Sequence, residues 1–326
     1  MKLSSDTPLV SIIILCYNQA DIVGRAIESC LSQSYKNIQL VVVDDCSKDN
    51  SKQVIESWQT KYPEKIKLFV QPVNVGHPAN MNTGYHLCDG ELITFCDGDD
   101  WLFPKSVETQ VDFLRNNIDY DVVYTNFSYY DLKGNLIKVW ATEDDKIPSG
   151  DIFPDLLSLN YPDKTHPHFE MTSKKIIDEM GYYDESIPIW VDWDFRLRLA
   201  AKYKCGYSSY IGNAYSVHPG GLTSTLKQES ILKYYQFVVN KNKNILDKYP
   251  QAFSKKILKS TYLPIDKLTL SIDLHKGNHS PVKTLRFLLK YPAQIRDLRF
   301  VVNSMFGKKI LGTLSALKQK LKKSDV

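Results

Sequence analysis

The first hundred residues switch repeatedly between two hydrophobic periods, and this alternation limits the possible folds more than any other feature. VSIIIL (10–15) is a short continuous apolar run, the pattern of a strand buried on both faces. Residues 20–33 then place Ile22, Ala26, Ile27 and Leu31 at helical spacing. IQLVVV (38–43) repeats the strand pattern, and a Ser/Lys/Asp/Asn start signal opens a helical stretch to about Lys61. Ile66–Val70 and ELITFC (91–96) read as third and fourth strands around a helical stretch over 78–88. Pro104 suits the first turn of a further helix, and Asp121–Tyr124 reads as a fifth strand. Unbroken strand–helix alternation predicts an α/β fold with a mostly parallel sheet and helices on both faces.

The pattern loosens after about residue 126. Residues 126–148 predict a hairpin turning at Gly134-Asn135, and 173–181 a helix ending at Gly181. Another helix is expected from Asp192 to about Tyr203, then short strands over 207–217. From Ser224 onward the chain reads as helices, broken near Pro250, Pro264, Gly277–Pro281 and Pro292. The expectation is a domain over 1–225 followed by a helical extension over 226–326. Charge divides nearby: residues 1–250 carry 25 basic and 33 acidic side chains, residues 251–326 carry 16 and 4. An acidic body with a basic tail suggests a tail suited to an anionic surface.

The six cysteines, Cys16, Cys30, Cys46, Cys88, Cys96 and Cys205, are scattered without a C-x-x-C pair. Several lie in apolar runs, which predicts buried, reduced thiols in a cytosolic protein. Leu9–Cys16 is interrupted by Ser11 and is too short for a leader or a span; no later run reaches 18 apolar residues. The expected location is the cytoplasm, with peripheral contact on the cytoplasmic face of a membrane.

Ligands of open α/β sheets bind beyond the carboxyl ends of the strands. Those loops read CYNQ (16–19), DDCSKDNS (44–51), QPVNVGHPAN (71–80) and CDGDD (96–100). Asp-x-Asp alone says little, since the chain holds three such pairs: Asp97/Asp99, Asp119/Asp121 and Asp192/Asp194. The 97–100 cluster suits either a solvated acidic turn or a carboxylate group gripping a cation. Its place at a strand end, with Asp44 and Asp45 expected on a neighbouring strand, favours the cation, because paired acids repel unless compensated. Gly98 is expected to supply an unusual backbone angle there. Neither G-x-G-x-x-G nor G-x-x-x-x-G-K-[ST] occurs, so a nucleotide would be held by carboxylates, a metal and side chains rather than by a glycine cradle.

Four linked motifs resemble family 2 glycosyltransferases of the GT-A fold: "VSIIILCYNQADIVGRAIESCLSQSYKNIQLVVVDDCSKDNS", "NVGHPANMNTGYHLCDGELITFCDGDDWLFP", "EMGYYDESIPIWVDWDFRLRLA" and "HPGGLTS". The resemblance spans about residues 8–225 and implies a GT-A (Rossmann-like) sheet with residues 226–326 as a helical C-terminal extension. It also implies an enzyme that moves a sugar from a nucleotide-sugar, UDP by the family's habit, to a saccharide or lipid-linked hydroxyl with inversion. By this resemblance Asp44 and Asp45 read the base, and an acceptor carboxylate suits the N3–H of uracil. Asp97 lies near the ribose, Asp99 ligates Mn²⁺ or Mg²⁺ on the diphosphate with Asp97, and Asp100 supports them. Asn18 and Asn82 complete the implied nucleotide-sugar contacts. His218 falls where relatives offer a metal- or phosphate-facing histidine; a structural histidine before a Pro-Gly turn fits as well.

The family's base motif, Glu-Asp, reads Val191-Asp192 here, so Asp192 takes the base position, with Asp194 as the alternate. Met81 stands where relatives often carry arginine. Tyr129, Tyr130, Trp140 and Trp190 offer faces for sugar rings or ordinary packing, and His77, His166 and His168 at most acceptor contacts. A catalytically silent nucleotide- or partner-binding module of the same fold is the rival reading. Residues 283–323 interleave apolar and basic side chains, as in a helix on an anionic membrane or a packing helix with a solvated basic face. No nucleic-acid motif accompanies the charge.

Overall fold

The computed structural model describes residues 2–221, 226–276, 278, 280–291 and 294. Strand β1 (Val10–Cys16) is buried along its whole length and is the axis of a parallel block. β2 (Ile38–Asp44) pairs with it in register from Val10↔Ile38 to Cys16↔Asp44. β3 (Ile66–Val70) lies outside β2, and β4 (Leu92–Phe95) pairs on the other side of β1. The helices between them are α1 (Val23–Leu31), α2 (Ser51–Lys61) and α3 (His77–Leu87). On α1 the buried stripe is Val23, Ala26, Ile27 and Cys30, packed with Ile12, Ile14, Leu40 and Val42 of the strands. The strands carrying Asp44 and Asp97 are not neighbours as expected, because β1 separates them.

The second half adds β5 (Trp101–Leu102), α4 (Ser106–Asn116), β6 (Val122–Tyr130), β7 (Leu136–Val139), α5 (Phe153–Ser158), β8 (Met171–Ser173), α6 (Lys174–Met180), α7 (Val191–Lys202) and β9 (Cys205–Ser216). The sheet has nine strands in the order β3-β2-β1-β4-β8-β6-β9-β5, with β7 paired to β6. β8 is antiparallel to both β4 and β6, and β6 is parallel to β9. β1, β2, β3, β4, β6 and β9 therefore share one direction, while β5, β7 and β8 oppose it. The α/β layering is as expected, but the sheet is mixed. The β6–β7 hairpin turns at Gly134, whose φ of 82° favours glycine. The predicted short strands near 207–217 are one long strand, β9, whose pairing with β6 shifts register near Thr125–Phe127.

The chain divides into two compact units, Met1–Thr225 with Asn244–Leu246, and Leu226–Lys243 with Asp247–Val326. The second contains α8 (Gln228–Asn242), α9 (Gln251–His275) and α10 (Pro281–Lys290). Ser280 caps α10 by accepting from Lys283 N–H at 3.2 Å, with Pro281 in the first turn. Most of the basic tail, from Pro292 on apart from Gln294, lies outside the described residues, as do Leu222, Thr223 and Ser224 of HPGGLTS. All six cysteines are unpaired, and all but Cys46 are buried. No helix among the described residues is long and apolar enough to cross a membrane.

Candidate active site

The turn after β4 is stitched to the end of β1. Cys96 N–H donates to the Ile13 carbonyl at 2.9 Å and Gly98 N–H to the Leu15 carbonyl at 3.0 Å. Gly98 is needed for close approach, not for a rare backbone angle: its φ is not positive. A Cβ there would lie 2.3 Å from Gln19 Oε1 and 2.6 Å from the Leu15 carbonyl. The three aspartates leave this turn with different partners. Asp100 is buried, and its Oδ1 accepts from Ser216 N–H at 2.7 Å, so it ties the turn to β9. Burial and the two neighbouring aspartates hold its carboxyl well above the usual range.

Asp99 Oδ2 lies 2.9 Å from His218 Nε2. The Asp99 carbonyl accepts from Arg25 Nη2 at 2.9 Å, and the Arg25 guanidinium stands 3.8 Å from the centre of the Trp101 ring. The Asp97 carboxyl is pushed up to about 7 by burial first, then by Asp99 and Asp192, with Arg196 opposing. So Asp99 and His218 already touch, and Asp97 is buried among acids whose crowding a cation would relieve. Two carboxylates and an imidazole suit Mn²⁺ or Mg²⁺.

On the other side of β1, Asp44 is fully buried. Its Oδ2 accepts from Ser47 N–H at 3.0 Å and its Oδ1 from the Ser47 hydroxyl. Asp45 accepts from Val75 N–H at 2.7 Å and Gly76 N–H at 2.9 Å, clamping the entry to α3. Asn18, at φ 53°, accepts from Lys48 N–H at 2.7 Å and joins the β1 and β2 loops. Asn82 is tied to the 183–185 segment. Its Nδ2 donates to the Tyr183 carbonyl at 3.0 Å and to Glu185 Oε1 at 2.8 Å, while its Oδ1 accepts from Tyr183 N–H at 2.9 Å. Both amide N–H bonds are spent bracing the 183–185 segment, which leaves no donor for a nucleotide-sugar.

Asp192 lies in the first turn of α7, whose N-cap is Trp190; a φ of 68° there is rare for a bulky residue and concentrates strain at this turn. Arg196, one turn on, donates from Nη1 to Asp192 Oδ2 at 2.6 Å and from Nε to Glu170 Oε2 at 2.9 Å. The same Nη1 approaches His166 Nδ1 at 3.1 Å. His166 Nδ1 also lies 3.3 Å from the Pro167 carbonyl, and its Nε2 is 3.6 Å from Asp192 Oδ2. Burial lowers His166 to about 4, so it is neutral near pH 7. Burial alone would raise Asp192, but the His166 and Arg196 charges outweigh it and hold the carboxyl well below the usual range. With His166 neutral, Arg196 keeps Asp192 ionised near pH 7. Asp194 is fully buried and accepts from Arg198 Nε at 3.0 Å, which removes it as the alternate base.

His166, His168 and Asp192 bring potential metal-ligating atoms within 4.8 Å of one another, the one such group of three among the described residues. Arg196 already supplies a permanent positive charge between His166 and Asp192 and would compete with a cation there, while Asp97, Asp99 and His218 do not gather their ligating atoms within the same distance. Trp140 is buried and stacks on Phe127, ring centres 5.0 Å apart, so it packs the interior and is no exposed sugar platform.

A family profile described as "Glycosyl transferase family 2" matches residues 11–180, just over half of the chain. The chain is a family 2 glycosyltransferase. An uncharacterized glycosyltransferase of Haemophilus influenzae is 38% identical over 135 residues, covering 41% of this chain and 53% of that protein. One from Methanocaldococcus jannaschii is 26% identical over 234 residues, covering 71% and 78%. An uncharacterized Rickettsia conorii glycosyltransferase matches over only 31% of its own length, so the chain spans about a third of that relative and about half of the Haemophilus influenzae one.

Solved structures share the fold at low identity. Residues 1–349 of S. aureus TarS in complex with UDP-GlcNAc superpose with a TM-score of 0.61 at 16% identity, covering 91% of this chain and 83% of that one. The Pyrobaculum calidifontis mannosyltransferase PcManGT, in complex with GDP-Man and Mn²⁺, gives 0.58 at 15%, covering 92% and 86%. In this glycosyltransferase, sequence reading missed Arg25, Glu170 and Arg196. The i,i+4 spacing of Asp192 and Arg196 was a legible signal; Glu170 reaches them only through the placement of β8.

Proposed function

We propose that this glycosyltransferase moves a sugar from a nucleotide-sugar, a UDP-sugar in the first instance, to a hydroxyl of a saccharide or lipid-linked acceptor with inversion, in surface polysaccharide or glycoconjugate synthesis. The observation that supports it most is the crowding at Asp97, whose carboxyl feels both Asp99 and Asp192. Donor-holding acids and the proposed base thus share one electrostatic neighbourhood. The acceptor oxygen bonds to the anomeric carbon as the bond to the diphosphate oxygen breaks, and the nucleoside diphosphate leaves with that electron pair. Asp192 takes the acceptor proton. Arg196 holds Asp192 ionised and aimed; its low basicity suits a proton taken late, once the attacking oxygen has become strongly acidic.

Asp97, Asp99 and His218 would hold Mn²⁺ or Mg²⁺, which neutralises charge on the diphosphate. A base N–H reaches buried Asp44 by replacing its Ser47 bonds, so donor binding reorders the 44–47 turn. Residues 1–225 form the catalytic part, and the basic C-terminal region approaches an anionic membrane from the cytoplasmic side, where a lipid-linked acceptor would lie. The test is Asp192→Asn: donor affinity should persist while transfer falls on the order of 10²–10⁴-fold. Transfer at the wild-type rate would remove Asp192 as the base.

A further inference from the structure

Helix α10 buries one side and leaves an unusual opposite one. Thr284 and Phe287 face inward, where Phe287 and Tyr291 pack with Leu270 of α9. Val282, Leu285 and Leu289, at i, i+3 and i+7, form one stripe that is 62%, 54% and 74% exposed. Large aliphatic side chains aligned on an exposed stripe mark an interaction surface. Beside it run Lys283, Arg286 and Lys290, and the helix carries no acid. These three cations line a groove of about 270 Å³ between α9 and α10, with Asp266, Asp273 and Thr269. Lys283 pairs with Asp273 at 2.7 Å and Lys290 with Asp266 at 2.7 Å. Arg286 has no acidic partner among the described residues, so the groove keeps a net positive charge open to an anion.

We infer that α10 is a membrane-docking element: the Val282/Leu285/Leu289 stripe enters the interfacial layer of an anionic bilayer, and Arg286 takes a lipid phosphate at the groove. Ten residues rise about 15 Å, too short to span, so the helix lies in the plane of the surface. Charge complementarity selects the occupant, because a basic edge along an apolar stripe matches anionic headgroups over acyl chains. The same sign runs through residues 251–326, with 16 basic and 4 acidic side chains. The inference deepens the membrane approach proposed above and rests on that reading for the kind of surface met.

The test is co-sedimentation of the full chain with vesicles of phosphatidylglycerol and phosphatidylcholine against vesicles of phosphatidylcholine alone, for wild type, Leu285→Glu/Leu289→Glu and Arg286→Glu. Wild type should bind the anionic vesicles, and each variant should bind them about tenfold or more weakly with an unchanged melting temperature. Equal binding by all three proteins would overturn the inference, placing any docking elsewhere. So would absence of wild-type binding. A melting temperature lowered by Leu285→Glu/Leu289→Glu would also overturn it, since the stripe would then be covered by this chain or a second copy. Hydrolysis of nucleotide-sugars without vesicles, run on the same samples, reports the transferase reading separately: its failure leaves the docking result standing, and the reverse holds.

Discussion

His166 shows how much one buried side chain sets here. It sits between the Pro167 carbonyl, the Arg196 guanidinium and the Asp192 carboxylate, and burial lowers it to about 4. Unfolded, it takes a proton near its ordinary 6.5. The unfolded chain therefore binds a proton that the folded chain refuses, so stability is complete above about pH 6.5 and falls as pH drops toward 4. The loss assignable to His166 is about 3 kcal/mol. Urea titrations at pH 7 and pH 4 should show His166→Gln losing that much less than wild type across the interval. Equal losses would mean that His166 is not held neutral. His77 and His168 are lowered by burial in the same direction and account for part of the remaining slope.

At the scale of elements, α7 is tied to the residue just before β8 by one buried ion pair. The Arg196 and Glu170 side chains are 5% and 8% exposed, and their 2.9 Å contact compensates two charges held in the interior. Arg196→Met leaves Glu170 and Asp192 unpaired and should cost about 3–5 kcal/mol, read as a lower denaturation midpoint. A midpoint unchanged from wild type would mean that the pair does not hold α7 in place. Much of this scaffold was legible beforehand. Apolar runs announced β1, β2, β3 and β4, and helical spacing announced α1, because each pattern is local. The antiparallel insertion of β8 between β4 and β6 was not legible, since strand order depends on long-range pairing that no local period records. The aspartate clusters were located correctly by strand ends, yet their partners were not: Asp100 turns to Ser216, Asp44 to Ser47, and Asn82 to Tyr183.

At the scale of the molecule, an acidic α/β unit carries the clustered carboxylates and a basic helical unit carries an exposed apolar stripe. Burial first, and the neighbouring aspartates second, raise Asp97 and Asp100, and a bound cation would relieve that crowding. The central claim is that these acids hold a metal–nucleotide-sugar complex. The most direct measurement is release of nucleoside diphosphate from a panel of UDP-, GDP- and dTDP-sugars, with Mn²⁺ or with chelator, by wild type and Asp99→Ala. The account predicts metal-dependent release from at least one donor, abolished by Asp99→Ala. No release from any donor, or Asp99→Ala indistinguishable from wild type, would contradict it.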